Sequence, residues 1–287
     1  MVIDAPPSIQ RSRETVTRAD LGRLVIERFG PQTGQPILLT HGFGQTRLAW
    51  EESAHKLAQA GFQAVTLDAR GHGDSDWSAS ADYQLDHFLD DLQRVLDTFS
   101  RPPVLIGASM GGLLGMLAAG EFARNPFRAL VLVDIAPRWE TAGVERILQF
   151  MRAKADGFSS IEEALTLVQD YLPQRAARHD SGSLGRYLRL QPNGRYRWHW
   201  DPRLLDSIQA SATPYMARLS AAAQRLQLPT LLVSGALSDV VSPAAIQEFL
   251  TLVPHASHVE IEQASHMLVG DRNTQFLNAT SQFLATL

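Results

Sequence analysis

The stretch Val104-Leu105-Ile106-Gly107-Ala108-Ser109-Met110-Gly111-Gly112 runs from an apolar strand straight into a helix, with a serine at the turn. The helix reads from Leu113 to Arg124. A serine on so sharp a strand-to-helix turn is forced into a strained backbone that exposes its hydroxyl, and Gly107 and Gly111 let neighbouring backbone approach on both sides. The helix also aims its positive dipole end at any anion that forms beside the serine. A Gly-x-Ser-x-Gly pentapeptide alone recurs by chance as a glycine-rich turn, so its meaning depends on its context and its partners.

The surrounding chain repeats the same rhythm. Strands are expected at Leu24–Phe29, Pro36–Thr40, Ala64–Asp68, Ala129–Asp134, Pro229–Gly235 and Ser257–Ile261. Helices are expected at Leu48–Ala60, Leu85–Phe99, Pro243–Val253 and Thr274–Leu287; the second has apolar residues at 85, 88, 89, 92, 96 and 99, a helical period. Residues 1–20, polar and proline-bearing, read as a loosely held lead-in. Apolar strands alternating with amphipathic helices imply parallel βα units and a sheet covered on both faces. Such sheets bind ligands beyond the C-terminal ends of their strands, where Gly42-Phe43, Arg70–Ser75 and Ser109 all fall. The rhythm breaks after Pro137. Residues 138–225 show helical patterns at Val144–Ala155, Ser160–Tyr171, Leu184–Leu190 and Pro214–Leu226, around the patch Arg195-Tyr-Arg-Trp198-His-Trp200-Asp-Pro-Arg203. The expected organisation is one core, residues 1–137 and 226–287, carrying an all-helical cap insertion at 138–225.

Composition narrows the function. The chain has 287 residues, of which 45% are hydrophobic and 20% charged, with a net charge of −4 and no cysteine. These are the values of an ordinary globular protein with room for a large core. The mild acidity gives no electrostatic reason to expect nucleic acid or an anionic membrane as partner. Disulfides, thiolate metal sites and a cysteine nucleophile are excluded. The residues from Met1 to Arg11 lack the apolar core of a secretory signal, and no apolar run approaches the roughly 18–20 residues that span a membrane. A cytoplasmic protein without integral membrane association is the expectation. Oligomeric state is not legible at this level.

A serine hydroxyl becomes a nucleophile when a base takes its proton and a third group holds that base in one tautomer. Of nine histidines, His55 and His87 fall on helices away from the loop face, and His179 and His199 in the insertion. His255 and His258 flank a strand start; His41 and His72 sit in glycine-bounded turns, where an imidazole braces backbone. His266 remains, directly after a strand in Gln263-Ala-Ser-His266-Met267. For the acid, Asp239 in the loop after the strand ending at Gly235 is favoured. Asp134, ending the strand after the Ser109 helix, is its rival, and either could instead cap a helix.

These motifs together resemble the α/β-hydrolase superfamily, in its cap-bearing serine esterase, lipase and haloperoxidase-like branch. The similarity runs through His41-Gly42-Phe43-Gly44, Asp68-Ala-Arg70-Gly71-His72-Gly73-Asp-Ser75, Gly107–Gly111, Asp239 and His266-Met267. The resemblance implies a doubly wound, mostly parallel sheet with an inserted helical cap, and an oxyanion hole from the backbone N–H groups of Phe43 and Met110. It implies no cofactor and no metal. Serine at position 109 departs from the aspartate of epoxide hydrolases and haloalkane dehalogenases, the His-Gly-Gly-Gly loop of one esterase group is missing, and Ser265 stands where many relatives have glycine. The Asp68–Ser75 motif reads as a structural loop. Phe43, Trp77, Trp139, Phe150 and Trp198 are candidates for the pocket wall, although aromatic residues at helical spacing more often fill a cap's own core. Arg195, Arg197 and Arg203 read as structural salt links and stacking rather than an anion site.

The expectation is therefore a carboxylester hydrolase acting on a small-molecule ester-like substrate of small to medium size. The same Ser–Asp–His set also serves carbon–carbon bond hydrolysis, enol-lactone opening and perhydrolysis, which are the enzymatic alternatives. A hydrolase-like receptor is the remote, non-enzymatic one.

Overall fold

The computed structural model describes residues 9–172, 181–209, 212–271 and 273–287. His179 lies outside them. The chain opens with an antiparallel hairpin, β1 (Arg11–Thr17) against β2 (Arg23–Phe29). Then come β3 (Pro36–Thr40), a 3-10 turn at Arg47–Trp50, α1 (Glu51–Gln59), β4 (Gln63–Asp68), α2 (Leu85–Leu96), β5 (Val104–Ala108), α3 (Met110–Glu121) and β6 (Ala129–Val133). After the insertion follow β9 (Thr230–Gly235), α9 (Pro243–Leu252), β10 (Ser257–Ile261), α10 (Leu268–Asp271) and α11 (Asn273–Leu284). The eight strands form one sheet in the order β1-β2-β4-β3-β5-β6-β9-β10, parallel from β4 onward. β1 corrects the expected lead-in. Its side chains are nearly all exposed, so no apolar pattern marks it, yet it pairs with β2 along its whole length.

Alternation sorts the core. In β3 every residue is buried; Ile37 and Leu39 join Phe276, Leu277 and Leu284 of α11 on one face, and Leu38 joins Leu92 and Leu117 on the other. Both faces must therefore be apolar, which is why these strands read as continuous hydrophobic runs. The parallel strands all point their C-terminal ends to one edge, where residues of the insertion share cavity walls with Ser109.

The insertion holds α4 (Thr141–Arg152), α5 (Ile161–Tyr171), α6 (Ser181–Gly185), β7 (Leu188–Leu190), β8 (Tyr196–Trp198), α7 (Leu204–Gln209) and α8 (Ala212–Ala223). It is not all helical: β7 and β8 form an antiparallel ribbon, extended by a bridge between Phe158 and Tyr196. The expected helix Leu184–Leu190 ends at Gly185, and the chain turns to strand so that Trp198 can pack edge-on to Phe158 at 5.1 Å between ring centroids and stack on Trp200 at 4.9 Å. α8 returns along α3, so closely that a Cβ on Gly120 would stand 2.4 Å from the Ala222 carbonyl oxygen. Among the described residues no helix is long and apolar enough to cross a membrane.

Candidate active site

Ser109 is the turn between β5 and α3, with φ +46° and ψ −116°. A non-glycine residue held there stores about 1–3 kcal/mol, which only an over-determined surrounding can maintain. The surrounding is visible. Ser109 N–H donates to the Val133 carbonyl at 3.0 Å, which ties the turn to the end of β6. A Cβ on Gly107 would lie 2.5 Å from backbone of Gly111, and one on Gly111 would lie 2.5 Å from the Thr40 carbonyl oxygen. Both positions thus require glycine, as the motif implies. α3 begins at Met110, three residues earlier than the apolar pattern suggests, so the first turn of the helix lies directly beside the serine hydroxyl.

The Gly42–Gly44 loop crosses in front of this turn. A Cβ on Gly42 would stand 3.3 Å from the Ser109 Cβ. Gly42 N–H donates to Gln45 Oε1 at 3.1 Å and Gly44 N–H to His72 Nε2 at 3.1 Å. Between them the Phe43 N–H finds no protein acceptor among the described residues, nor does that of Met110, in the first helical turn. Both residues line a cavity together with Ser109. His41 and His72 brace backbone, as their turns suggest: Ala69 N–H donates to His41 Nε2 at 3.0 Å, so the His41 Nδ1–H donates to the Gly42 carbonyl at 2.8 Å. His72 accepts from Gly44, so its Nδ1–H donates to the Arg70 carbonyl at 2.9 Å. Gly73 N–H donates to Nδ1 of His199 in the cap at 2.9 Å. Burial pushes all three imidazoles below the ordinary histidine value, His72 to about 3, so each stays neutral and able to accept.

His266 follows β10, and its Nδ1–H donates to the carboxylate of Asp134 at 2.7 Å. The acid against His266 is thus Asp134, and the preference for Asp239 is corrected. Asp134 is fully buried at the end of β6 with φ +50°, and its carboxylate also accepts from Gly235 N–H at 2.8 Å and from the Ser238 hydroxyl at 2.5 Å. Asp239 turns the other way and pairs with Arg146 of α4 on the cap side. The turn after β9 puts Ser238, rather than its neighbour, inward: the Ser238 oxygen donates to Asp134 and accepts from the N–H groups of Val240 and Val241. No sequence signal marked Ser238. Gly235 lets the His266 loop close in, since a Cβ there would meet the Ala264 carbonyl oxygen at 2.5 Å.

Ser109 and His266 line one cavity of about 90 Å³. Ser109, Phe43 and Met110 also line a second of about 420 Å³, whose wall includes Trp139. Phe150 lines the smaller cavity, whereas Trp198 lines a more distant recess, so those two expectations separate. Trp77 lines neither cavity around Ser109; the guanidinium of Arg197 lies over its ring at 4.2 Å, a half-buried stack away from both. Arg195 donates to the Asp156 and Gly157 carbonyls, and Arg203 pairs with Asp201 and the Ser78 carbonyl, both structural. In the Asp68–Ser75 loop, Arg70 grips Asp91 in two bonds of 2.6 and 2.8 Å, and Asp68 binds Arg47 and Asp74 N–H. His87 pairs with Asp82, His258 with Ser234 and His255 with the Leu228 carbonyl, all away from Ser109. Among the described residues no group of three or more His, Asp or Glu side chains is placed to hold a metal ion.

The chain is similar to known proteins over most of its length. The chain is similar to a 3-hydroxybutyrate-oligomer hydrolase of Cupriavidus necator, 27% identical over 88% of this chain and 90% of the relative. It is similar to an sn-1-specific diacylglycerol lipase of Mus musculus, 28% identical over 89% of this chain and 83% of the relative. Its structure superposes on an alpha/beta hydrolase of Novosphingobium aromaticivorans with a TM-score of 0.80 at 25% identity, covering 99% of this chain and 100% of the other. A family model described as alpha/beta hydrolase fold matches residues 35–272, and the chain belongs to that family of hydrolases.

Proposed function

We propose that the protein is a serine hydrolase that cleaves carboxylic esters of small to medium size through an acyl-enzyme intermediate. The observation that carries this is the buried Asp134 carboxylate, 2.7 Å from Nδ1 of an imidazole that shares a cavity with a strained serine. With its Nδ1–H held by Asp134, His266 leaves Nε2 to act as the base. Ser109 Oγ attacks the ester carbonyl carbon as its proton passes to Nε2, and Asp134 stabilises the resulting imidazolium. The carbonyl oxygen, now negative, is received by the N–H groups of Phe43 and Met110, each worth about 3–4 kcal/mol of barrier. The tetrahedral intermediate expels the alcohol, which takes the proton from Nε2. Water then attacks the acyl-enzyme with His266 again as base, releasing the acid and free Ser109. The printed activities of the two relatives, an oligomer hydrolase and a diacylglycerol lipase, support ester cleavage.

A fluorophosphonate should label Ser109, and Ser109→Ala should abolish both labelling and turnover of a panel of esters. Full turnover by Ser109→Ala would end this reading. A lactone and a ring-fission dienone in the same panel test the other chemistries: rapid dienone cleavage with negligible ester turnover would move the protein to carbon–carbon hydrolysis.

A further inference from the structure

We propose that Ser109 stands at the junction of two chambers, one apolar for the acyl chain and one of mixed polarity for the departing alcohol. The substrate class is then an ester of a compact apolar acid with a larger alcohol, partly polar and partly apolar, that is unbranched next to the ester oxygen. This rests on the acyl-enzyme reading above.

Ser109, Phe43 and Ile147 line both the 420 Å³ and the 90 Å³ cavities, whereas His266 lines only the smaller. A general acid must reach the oxygen that leaves, so the alcohol departs on the His266 side. The acyl group stays on Ser109 and takes the other side. That chamber is walled by Phe88, Leu113, Ile135, Leu148, Leu204 and Val240. At the roughly 30 Å³ that a water-sized group occupies, it takes about a dozen heavy atoms at most.

The smaller cavity is a neck. On the same measure it takes about three heavy atoms, too few for a branch beside the ester oxygen. It shares Gly44, Gln45, Phe150, Tyr171, Met267 and Val269 with a recess of about 600 Å³. Beyond those shared residues the recess sets Glu51, Glu52, His55 and Asn273 among Leu48, Leu184, Trp198 and Trp200, so it suits a group with both polar and apolar parts. Phe150 and Tyr171, stacked at 4.3 Å between ring centroids, form the cap side of the neck. One cap therefore controls both ends of the substrate with different residues: Leu148 of α4 for the acid, Phe150 and Tyr171 for the alcohol.

Two ester series separate the chambers. Ethyl esters from acetate to hexadecanoate report on the acid, and hexanoates of ethanol, diethylene glycol and tert-butanol report on the alcohol. The wild type should prefer middle-length acids, accept the glycol and reject tert-butanol. Leu148→Trp should lower the decanoate-to-acetate ratio of kcat/KM by about tenfold or more, the cost of crowding a few methylenes, and leave the alcohol ratios in place. Val144→Phe, at a half-buried wall position, asks the same question if the tryptophan variant does not fold. Phe150→Ala should raise the tert-butyl-to-ethyl ratio by a similar factor without moving the acyl optimum. The opposite pattern, or no shift in either ratio, overturns the assignment. Failure of the acyl-enzyme reading shows separately, as wild-type protein that no fluorophosphonate labels at Ser109.

Discussion

Replacing Asp134 by asparagine tests the site at its most buried point. The carboxylate takes three donors: Gly235 N–H at 2.8 Å, the Ser238 hydroxyl at 2.5 Å and His266 Nδ1 at 2.7 Å. A carboxamide of the same shape has one oxygen. If that oxygen faces Gly235, the NH₂ faces His266 and Ser238, and His266 is driven to carry its proton on Nε2, with no lone pair left for Ser109. If it is flipped, two N–H groups confront each other at Gly235. Either way a buried polar group goes unsatisfied, at about 1–3 kcal/mol of stability, and the wrong tautomer lowers kcat by about 10⁴. Asp239→Asn is the matched control. It breaks only the partly exposed pair with Arg146, worth about 0–1 kcal/mol, so activity should stay within about fivefold. Initial rates of ethyl hexanoate hydrolysis at constant pH, with thermal melts to confirm folding, measure both. A folded Asp239→Asn protein that loses a thousandfold while Asp134→Asn does not would refute the placement of the acid.

The buried imidazoles set an acid limit on stability. His41, His72 and His199 are neutral when folded and titrate near 6.5 when unfolded, so below that pH the unfolded chain binds more protons and acid favours unfolding. Each contributes up to about 1.4 kcal/mol per pH unit between its unfolded and folded values, a window that for His72 runs from near pH 6 down to about 3. Urea midpoints should therefore fall steeply between pH 6.5 and 5, and a flat profile there would contradict the assignment of these rings as neutral. A second test concerns the Asp68–Ser75 loop. Arg70→Met strands the buried Asp91, whose carboxyl burial already pushes up, and should cost about 3–5 kcal/mol; adding Asp91→Leu should restore most of it. Equal urea midpoints for the single and double variants would show that the pair is not what the loop depends on.

What could be read from the chain, and what could not, divides along the reach of local forces. The turn at Ser109 was legible because Gly107 and Gly111 answer to contacts only a few residues away along β5 and α3, or on the adjoining strand. The buried strands were legible because both faces are covered, which forces an apolar residue at nearly every position. β1 escaped because it is exposed, and its pairing through backbone N–H and C=O leaves no trace in side-chain polarity. The ribbon of β7 and β8 escaped because its reason for being extended is the stack of Trp198 on Trp200, which takes shape only once the cap is closed.

The choice between Asp134 and Asp239 shows the limit most sharply. Each follows an apolar strand, and β6 and β9 are neighbours in the sheet, so position along the chain makes them equivalent. What separates them is one turn. After β9 the Ser238 oxygen caps the N–H groups of Val240 and Val241, and this points its hydroxyl at Asp134 and leaves Asp239 facing Arg146 on the cap. Ser238 also spends its proton on Asp134, so each oxygen of this fully buried carboxyl group accepts a hydrogen bond. A buried carboxylate needs that enclosure to hold an imidazolium, whereas Asp239 already shares its charge with an arginine at the surface. Burial and prior partnership, neither of them a property of the residue type, decide which aspartate is available to His266.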